Sequence, residues 1–251
     1  MTPVSAANRP PSSTVDHRPA PASRRRARSA LRALSTALIV SGTLLLADAG
    51  ATLLWQEPVS AIYHQRQQGD LEDKLATLDQ FRPSDVERRA LEKLPDPRRR
   101  LAFAARSLDR RTDEGDPLGR IRIDRIGVSQ VFIEGTDAGD LRSGPGHYTD
   151  TPLPGQRGTV AIAGHRTTYG APFRRIDKVR PRDEIVLVMP YGRFTYRVER
   201  TRIVPPTAIW VTQRVSYDRL ILSACHPLYS AAQRIVVFAR LTRSEPRGAA
   251  A

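Results

Sequence analysis

The chain has 251 residues, of which 40% are hydrophobic and 6% aromatic; with 20 prolines and 16 glycines it is too lean for one compact soluble body. Its single cysteine excludes an intramolecular disulfide framework and any cysteine-rich zinc site. Forty basic residues against 26 acidic ones give a net charge of +14, which invites an anionic partner whose nature depends on where the charge lies.

Residues 1–30 carry six arginines and one aspartate among Pro, Ser and Ala, and predict a disordered basic tail able to rest on anionic lipid. From Ala33 to Trp55 the chain reads ALSTALIVSGTLLLADAGATLLW, with Asp48 as its only charge. That length suits one transmembrane helix, with bounds expected at 31–56. Arg24, Arg25, Arg26 and Arg28 precede it, so the positive-inside rule puts the tail in the cytoplasm and everything after the helix outside. Trp55 and Tyr63 fit an interfacial belt. Leu44-Leu45-Leu46 ahead of Ala47-Asp48-Ala49 also has the form of a cleavable signal. Both alternatives export the rest of the chain and leave nucleic acid an unsuitable partner.

Residues 57–116 predict a helical juxtamembrane stalk. Leu71, Leu75 and Leu78 have helical spacing, and Leu91, Leu94, Leu101 and Leu108 continue a sparse apolar stripe among charges of both signs. Pro83, Pro95 and Pro97 break it into two short helices with linkers. A regulatory segment lying over a functional site is the alternative. After Pro117 short alternating runs take over: Gly119–Ile126, Val128–Glu134, Gly158–Gly164, Glu184–Met189, Arg193–Val204, Arg219–Ala224 and Ile235–Leu241 read as strands, with Tyr191-Gly192 as a hairpin turn. Seven or eight strands predict an all-β barrel or sandwich over residues 117–243, followed by a disordered tail at 244–251.

Cys225 ends the run Leu220-Ile221-Leu222-Ser223-Ala224, and the next strand begins at Arg234. If the loop between them closes an antiparallel hairpin, Cys225 faces Arg234, Ser223 faces Val236, and Ile221 faces Phe238. Among the five histidines, His17 falls in the tail and His64 beside the apolar helix, both judged out of reach. His226 points away from its neighbour Cys225. His147 and His165 remain, and His165 closes the buried run Thr159–Gly164 at the mouth of a loop, good placement for a catalytic group. Each residue alone also has an ordinary structural explanation: a small core thiol, a hydrogen-bonded imidazole, a solvated guanidinium. An unpaired cysteine in an exported chain is nonetheless an oxidation liability.

Gly164-His165-Arg166, Leu222-Ser223-Ala224-Cys225 and Arg234 resemble the signature of the sortase family. The stretches GHYTDTPLPGQRGTVAIAGHRTTYGAPF and LILSACHPLYSAAQRIVVFARL most resemble its class E, actinobacterial type. The resemblance covers residues 117–243 and departs from many members at Ser223-Ala224, where a threonine commonly precedes the cysteine. It implies a closed eight-stranded sortase-type β-barrel behind one transmembrane helix, on a single-pass cell-membrane protein with its catalytic domain extracellular. It also implies a cysteine transpeptidase that cuts an LPXTG-like or LAXTG-like sorting signal between Thr and Gly. Cys225 is then the nucleophile, His165 the acid and base, and Arg234 the oxyanion donor or peptide aligner. Tyr169 stands where class E members carry a tyrosine linked to alanine at the second signal position, and Ala224 and His147 join it as expected substrate-binding residues. The implied partners are secreted proteins bearing the signal, a lipid-linked peptidoglycan precursor or other amine acceptor, and the membrane. No cofactor and no metal are expected, since the chain has neither HExxH nor an acidic loop between Val204 and Asp218. A secreted cysteine peptidase using water, or a non-catalytic basic wall-binding module, would share parts of this pattern.

Overall fold

The computed structural model describes residues 22–54, 58–79 and 84–250. The expectations for residues 1–21, Trp55 and Pro83 lie outside those residues. Helix α1, Ala22–Leu54, contains a segment, Arg28–Ala51, long and apolar enough to cross a membrane. It begins inside the stretch expected to be disordered.

Three further helices precede the strands where two short ones were expected: α2 at Pro58–Asp79, α3 at Asp85–Glu92 and α4 at Pro97–Asp109. Ser84 caps α3 in a capping box with Glu87, and Asp96 with Pro97 starts α4, so the prolines open helices rather than merely break one. Glu87 also accepts hydrogen bonds from Ser107 and Arg111, tying α3 to α4. The Ser107 hydroxyl chiefly, helped by Arg111 and the Ser84 cap against the cost of burial, pulls the Glu87 carboxyl down to about 2.

The strands are β1 (Pro117–Ile123), β2 (Val128–Glu134), β3 (Gly146–His147), β4 (Thr159–Ala163), β5 (Glu184–Met189), β6 (Gly192–Val204), β7 (Arg219–His226) and β8 (Gln233–Pro246). They close in the order β1-β2-β3-β4-β7-β8-β6-β5. β3 escaped the sequence because two residues carry no periodicity. The β5–β6 ladder pairs Met189 with Gly192, so the hairpin turns on Pro190-Tyr191, one residue earlier than expected. A short helix, α5 (Asp140–Ser143), leads into β3. β8 continues to Pro246 and Ala250 is buried, so the supposed C-terminal tail is packed structure through Ala250.

Inside the barrel Ile121, Phe132, Ile162, Leu187, Phe194, Leu222 and Val237 are fully buried. Leu101 and Ala105 of α4 join this core. A side chain at Gly192 would meet Leu101, so the glycine sets how closely α4 approaches the barrel.

Candidate active site

Strands β4, β7 and β8 lie side by side. β4 runs parallel to β7 with Ala163 level with Ser223, and Gly164 N donates to Ser223 O at 3.0 Å. His165 and Cys225 each stand two residues further on. The imidazole therefore stands in the loop just past the end of β4, beside the end of β7 that carries the thiol. On its other side β7 pairs antiparallel with β8, and Cys225 faces Arg234 directly, with Ser223 opposite Val236 and Ile221 opposite Phe238. This is the register inferred from the loop length.

Alternation decides which face each side chain joins. Leu220, Leu222, Ala224, Ile235 and Val237 turn into the barrel core. Ile221, Val236 and Phe238 turn outward with Ala161 and are covered by Val204, Ala208 and Val211 from the end of β6 and the segment after it. Cys225, at an odd position like Ile221 and Ser223, shares their outward face and is half-buried. Trp210 stacks on Phe238 with centroids 6.2 Å apart, while Ile209 stands exposed on the rim. Buried Arg219 fastens this covering segment, donating to Val211 O and Gln213 O at 2.8 Å and to Thr159 Oγ1 at 3.2 Å.

The end of β4 is set by close packing. Any side chain at Gly164 would run into the Phe173 ring, and Phe173 N in turn donates to His165 O at 3.0 Å. The His165 ring lies 5.2 Å from that of Tyr169, and its Nε2 is buried with no hydrogen-bond partner among the described residues. Burial chiefly, then the nearby His64 and Arg142 charges, push the His165 imidazole below its ordinary value.

His64 is the largest departure from expectation. Far from being out of reach, it is buried on α2 against the loop that follows His165. Gly170, at φ +70°, needs its lack of a side chain twice over, because a Cβ there would also collide with the His64 ring. Burial lowers the His64 imidazole, opposed by the Arg142 carbonyl and the Gln130 side chain. Below it Gln68 donates to Val131 O at 3.1 Å and Ser143 O at 2.8 Å and accepts from Val131 N at 2.8 Å. Leu71 and Leu75 then pack on Val131 and Ile133. The helix 58–79 thus lies against the site's loop, which is the arrangement the sequence left as the alternative to a plain stalk.

Arg166 was quoted in the motif but given no role. It is 5% exposed, and donates through Nη1 to His226 Nδ1 at 2.9 Å and Cys225 O at 3.4 Å. Nη2 reaches Asp177 Oδ1 at 3.1 Å and Nε reaches Arg174 O at 3.4 Å. One side chain after His165 thereby holds the backbone of Cys225. A buried charge of this kind has no signal in residue order beyond its place in the motif. Arg234 Nη1 donates to Ala231 O at 2.9 Å and Gln233 O at 3.0 Å, bracing its guanidinium at the mouth of the β7–β8 loop.

Two expected substrate-binding residues are corrected. His147 is 1% exposed, with Nδ1 3.0 Å from Glu134 Oε2 and Nε2 3.0 Å from Thr151 Oγ1, so both ring nitrogens are committed inside the protein. The parallel β2–β3 pairing, which sets Glu134 beside His147, could not be read from order alone. Ala224 points into the core and offers no surface to a peptide. Tyr169 stands beside His165 with Arg142 5.6 Å above its ring, an aromatic at the site's edge. Among the described residues no group of three His, Cys, Asp or Glu side chains converges as metal ligands would.

The comparisons with known proteins agree with this geometry. Residues 121–242 match the family model described as the sortase domain. Sortase D of Bacillus subtilis (strain 168) is 34% identical over 133 residues, covering 51% of this chain and 65% of that protein. Sortase SrtE1 of Streptomyces coelicolor (strain ATCC BAA-471 / A3(2) / M145) is 26% identical over 151 residues, 54% of this chain and 43% of that one. The chain thus spans less than two thirds of the length of either. Among solved structures, a mutant of sortase E from Streptomyces avermitilis is 33% identical, with 53% of this chain and 93% of that chain covered and a TM-score of 0.50.

Proposed function

The chain belongs to the sortase family, and from that premise we propose that it is a membrane-anchored cysteine transpeptidase acting on secreted proteins with an LPXTG-like or LAXTG-like sorting signal. The observation that carries the proposal is the direct pairing of Cys225 with Arg234 on β7 and β8, with His165 in the loop that leaves β4, the strand beside β7. Residues 117–243 form the catalytic unit in this reading, and α1, with its basic residues on the N-terminal side, is the single-pass anchor that leaves that unit outside.

In the first half-reaction the Cys225 sulfur, its proton passed to His165, attacks the carbonyl carbon of the signal threonine. The carbonyl oxygen takes up negative charge, and the planar fork of Arg234 donates to it; losing such a donor typically costs about 10²–10³ in rate. The Thr–Gly C–N bond then breaks as His165 returns the proton to the glycine amine, leaving a thioester on Cys225. In the second half an amine of a lipid-linked peptidoglycan precursor attacks the thioester carbonyl and loses its proton to His165. The thiol then departs. Tethering by α1 raises the local concentration of a membrane-bound acceptor. Exposed Ile209 and Trp210 on the segment that covers Phe238 offer apolar surface to the side chains of an extended signal, and Tyr169 borders the place where its second residue would lie.

The test is a sorting-signal peptide presented to the full chain with and without an amine acceptor. A thioester adduct on Cys225, resolved by amine into a transpeptidated product, is the expected result. Adduct absent from wild type, or turnover retained by Cys225→Ala, contradicts the proposal. Cleavage indifferent to amine identifies a peptidase instead.

A further inference from the structure

The far ends of the same strands border a second feature. β4 and β7 run parallel, so both begin at the end of the barrel opposite the thiol, and antiparallel β8 finishes there. Between that end and α4 lies a cleft of about 730 Å³. Arg98, Arg99 and Arg106 of α4, Arg157 before β4, Arg214 before β7 and Arg243 of β8 line it. From the first residue of β7 to Cys225 is about 20 Å of strand, so the cleft is separate from the site above.

Six arginines face two acids there, Asp96 and Asp218, and both acids have work of their own. Asp96 caps α4 through Arg98 N at 2.9 Å, and Asp218 accepts from Gly158 N at 3.2 Å. Arg98, Arg99, Arg106, Arg157 and Arg214 make no side-chain hydrogen bond or ion pair among the described residues, whereas Arg120, Arg166 and Arg240 elsewhere each have a carboxylate. Gln156 also lines the cleft, and its Nε2 is buried without a partner among the described residues. These five arginines are exposed to solvent, so an anion laid among them gains their charge without displacing another partner, and guanidinium forks match phosphate oxygens two at a time.

We infer that this cleft binds a segment of a linear phosphate-bearing polymer. Its arginines come from α4, from the segments before β4 and β7 and from β8, so they ring a concavity that a chain can enter and a flat bilayer surface would meet only at its rim. The chemistry called for is a run of phosphate or phosphodiester groups spaced a few ångströms apart, such as a phosphodiester-linked wall polymer presents. Occupancy would hold the enzyme beside its polymer while leaving the thiol end of the barrel free.

The experiment titrates the full chain in detergent micelles with inorganic polyphosphate of defined length at physiological salt, read by calorimetry and by the thermal midpoint. Saturable binding with a raised midpoint is expected. Arg106→Gln with Arg157→Gln, one from α4 and one from the segment before β4, lowers affinity at least tenfold more than Arg180→Gln with Arg202→Gln, two equally exposed arginines outside the cleft. The charge-keeping pair Arg106→Lys with Arg157→Lys retains the fold and falls between, because lysine keeps the charge but not the fork. Absence of saturable binding overturns the inference, as does equal loss in the two glutamine pairs. So does binding to phosphatidylglycerol vesicles that polyphosphate fails to compete away.

Discussion

Detaching α2 should change the acid–base chemistry of His165, and the structure gives the size of the perturbation. Leu71→Ala with Leu75→Ala removes the apolar anchor on Val131 and Ile133. Each truncation loses about 2 kcal/mol at about 0.8 kcal/mol per buried methylene, and water can fill the space at a helix–barrel seam, so about 4 kcal/mol leaves the docking free energy. The three hydrogen bonds of Gln68 remain, at about 1 kcal/mol each, against the entropy of holding the helix. The ratio of docked to released helix then falls by about a thousandfold relative to wild type. As His64 withdraws, its charge and the cover that α2 provides are lost, and the His165 imidazole rises toward its ordinary value. Turnover near neutrality should fall, since less of the resting enzyme carries the neutral imidazole that takes the Cys225 proton. Titration of the His165 ring by NMR, alongside hydrogen exchange of α2, measures both ends of this argument. An unchanged His165 titration in a variant whose α2 amides have lost protection would refute it. Acid should act in the same direction without mutation. His64 and His165 are both held below 6.5, so the folded arrangement binds fewer protons than the released one, and docking weakens as pH falls from 6.5 through the lowered values.

Arg166→Ala should lower kcat for peptide cleavage by about tenfold or more with little change in KM, because it frees the backbone of Cys225. Arg166→Lys should recover only part, since one ammonium cannot serve His226, Cys225 and Asp177 together. Glu87→Gln should cost about 1–3 kcal/mol in chemical unfolding by upsetting the Ser107 and Arg111 contacts. In wild type the stability that ionised Glu87 contributes is complete above 4.5 and declines as pH falls through that value toward about 2, which denaturation across pH 5 to 2 reads directly. Arg234→Lys should retain the thermal midpoint yet lose about 10²-fold in kcat/KM, measured with the same peptide and amine pair.

The β7–β8 hairpin was open to reading from residue order because its contacts are local, whereas the parallel pairing of β4 with β7 was not. An eight-residue connection between Cys225 and Arg234 leaves a hairpin little choice of register, and alternation then fixes the faces of Ser223, Ala224 and Cys225. Ala224 could have been assigned inward on that same alternation, but the motif drew it toward the substrate. What order concealed is everything that joins distant segments. Glu134 meets His147 across a parallel bridge of two residues. His64 reaches the loop after His165 from a helix whose apolar stripe is only Leu71 and Leu75 wide, too faint to say what it covers. The extent of α2 was likewise hidden, since a polar helix gains its stability from docking more than from its own propensities. At the other end, the bulge between Thr195 and Tyr196 in the β6–β8 ladder and the packed Ala250 gave no sequence sign that the last residues would fold.

The ring of eight strands closes completely, β5 returning to β1 through the pairing of Arg120 with Val188 and Ile121 with Leu187. Within that ring β3 contributes only two paired residues, and where β2 runs on beside it Gln68 of α2 takes Val131 N and O in place of a neighbouring strand. A helix side chain thus plugs part of the seam that a second copy, or an extended polypeptide, would otherwise enter as an added strand.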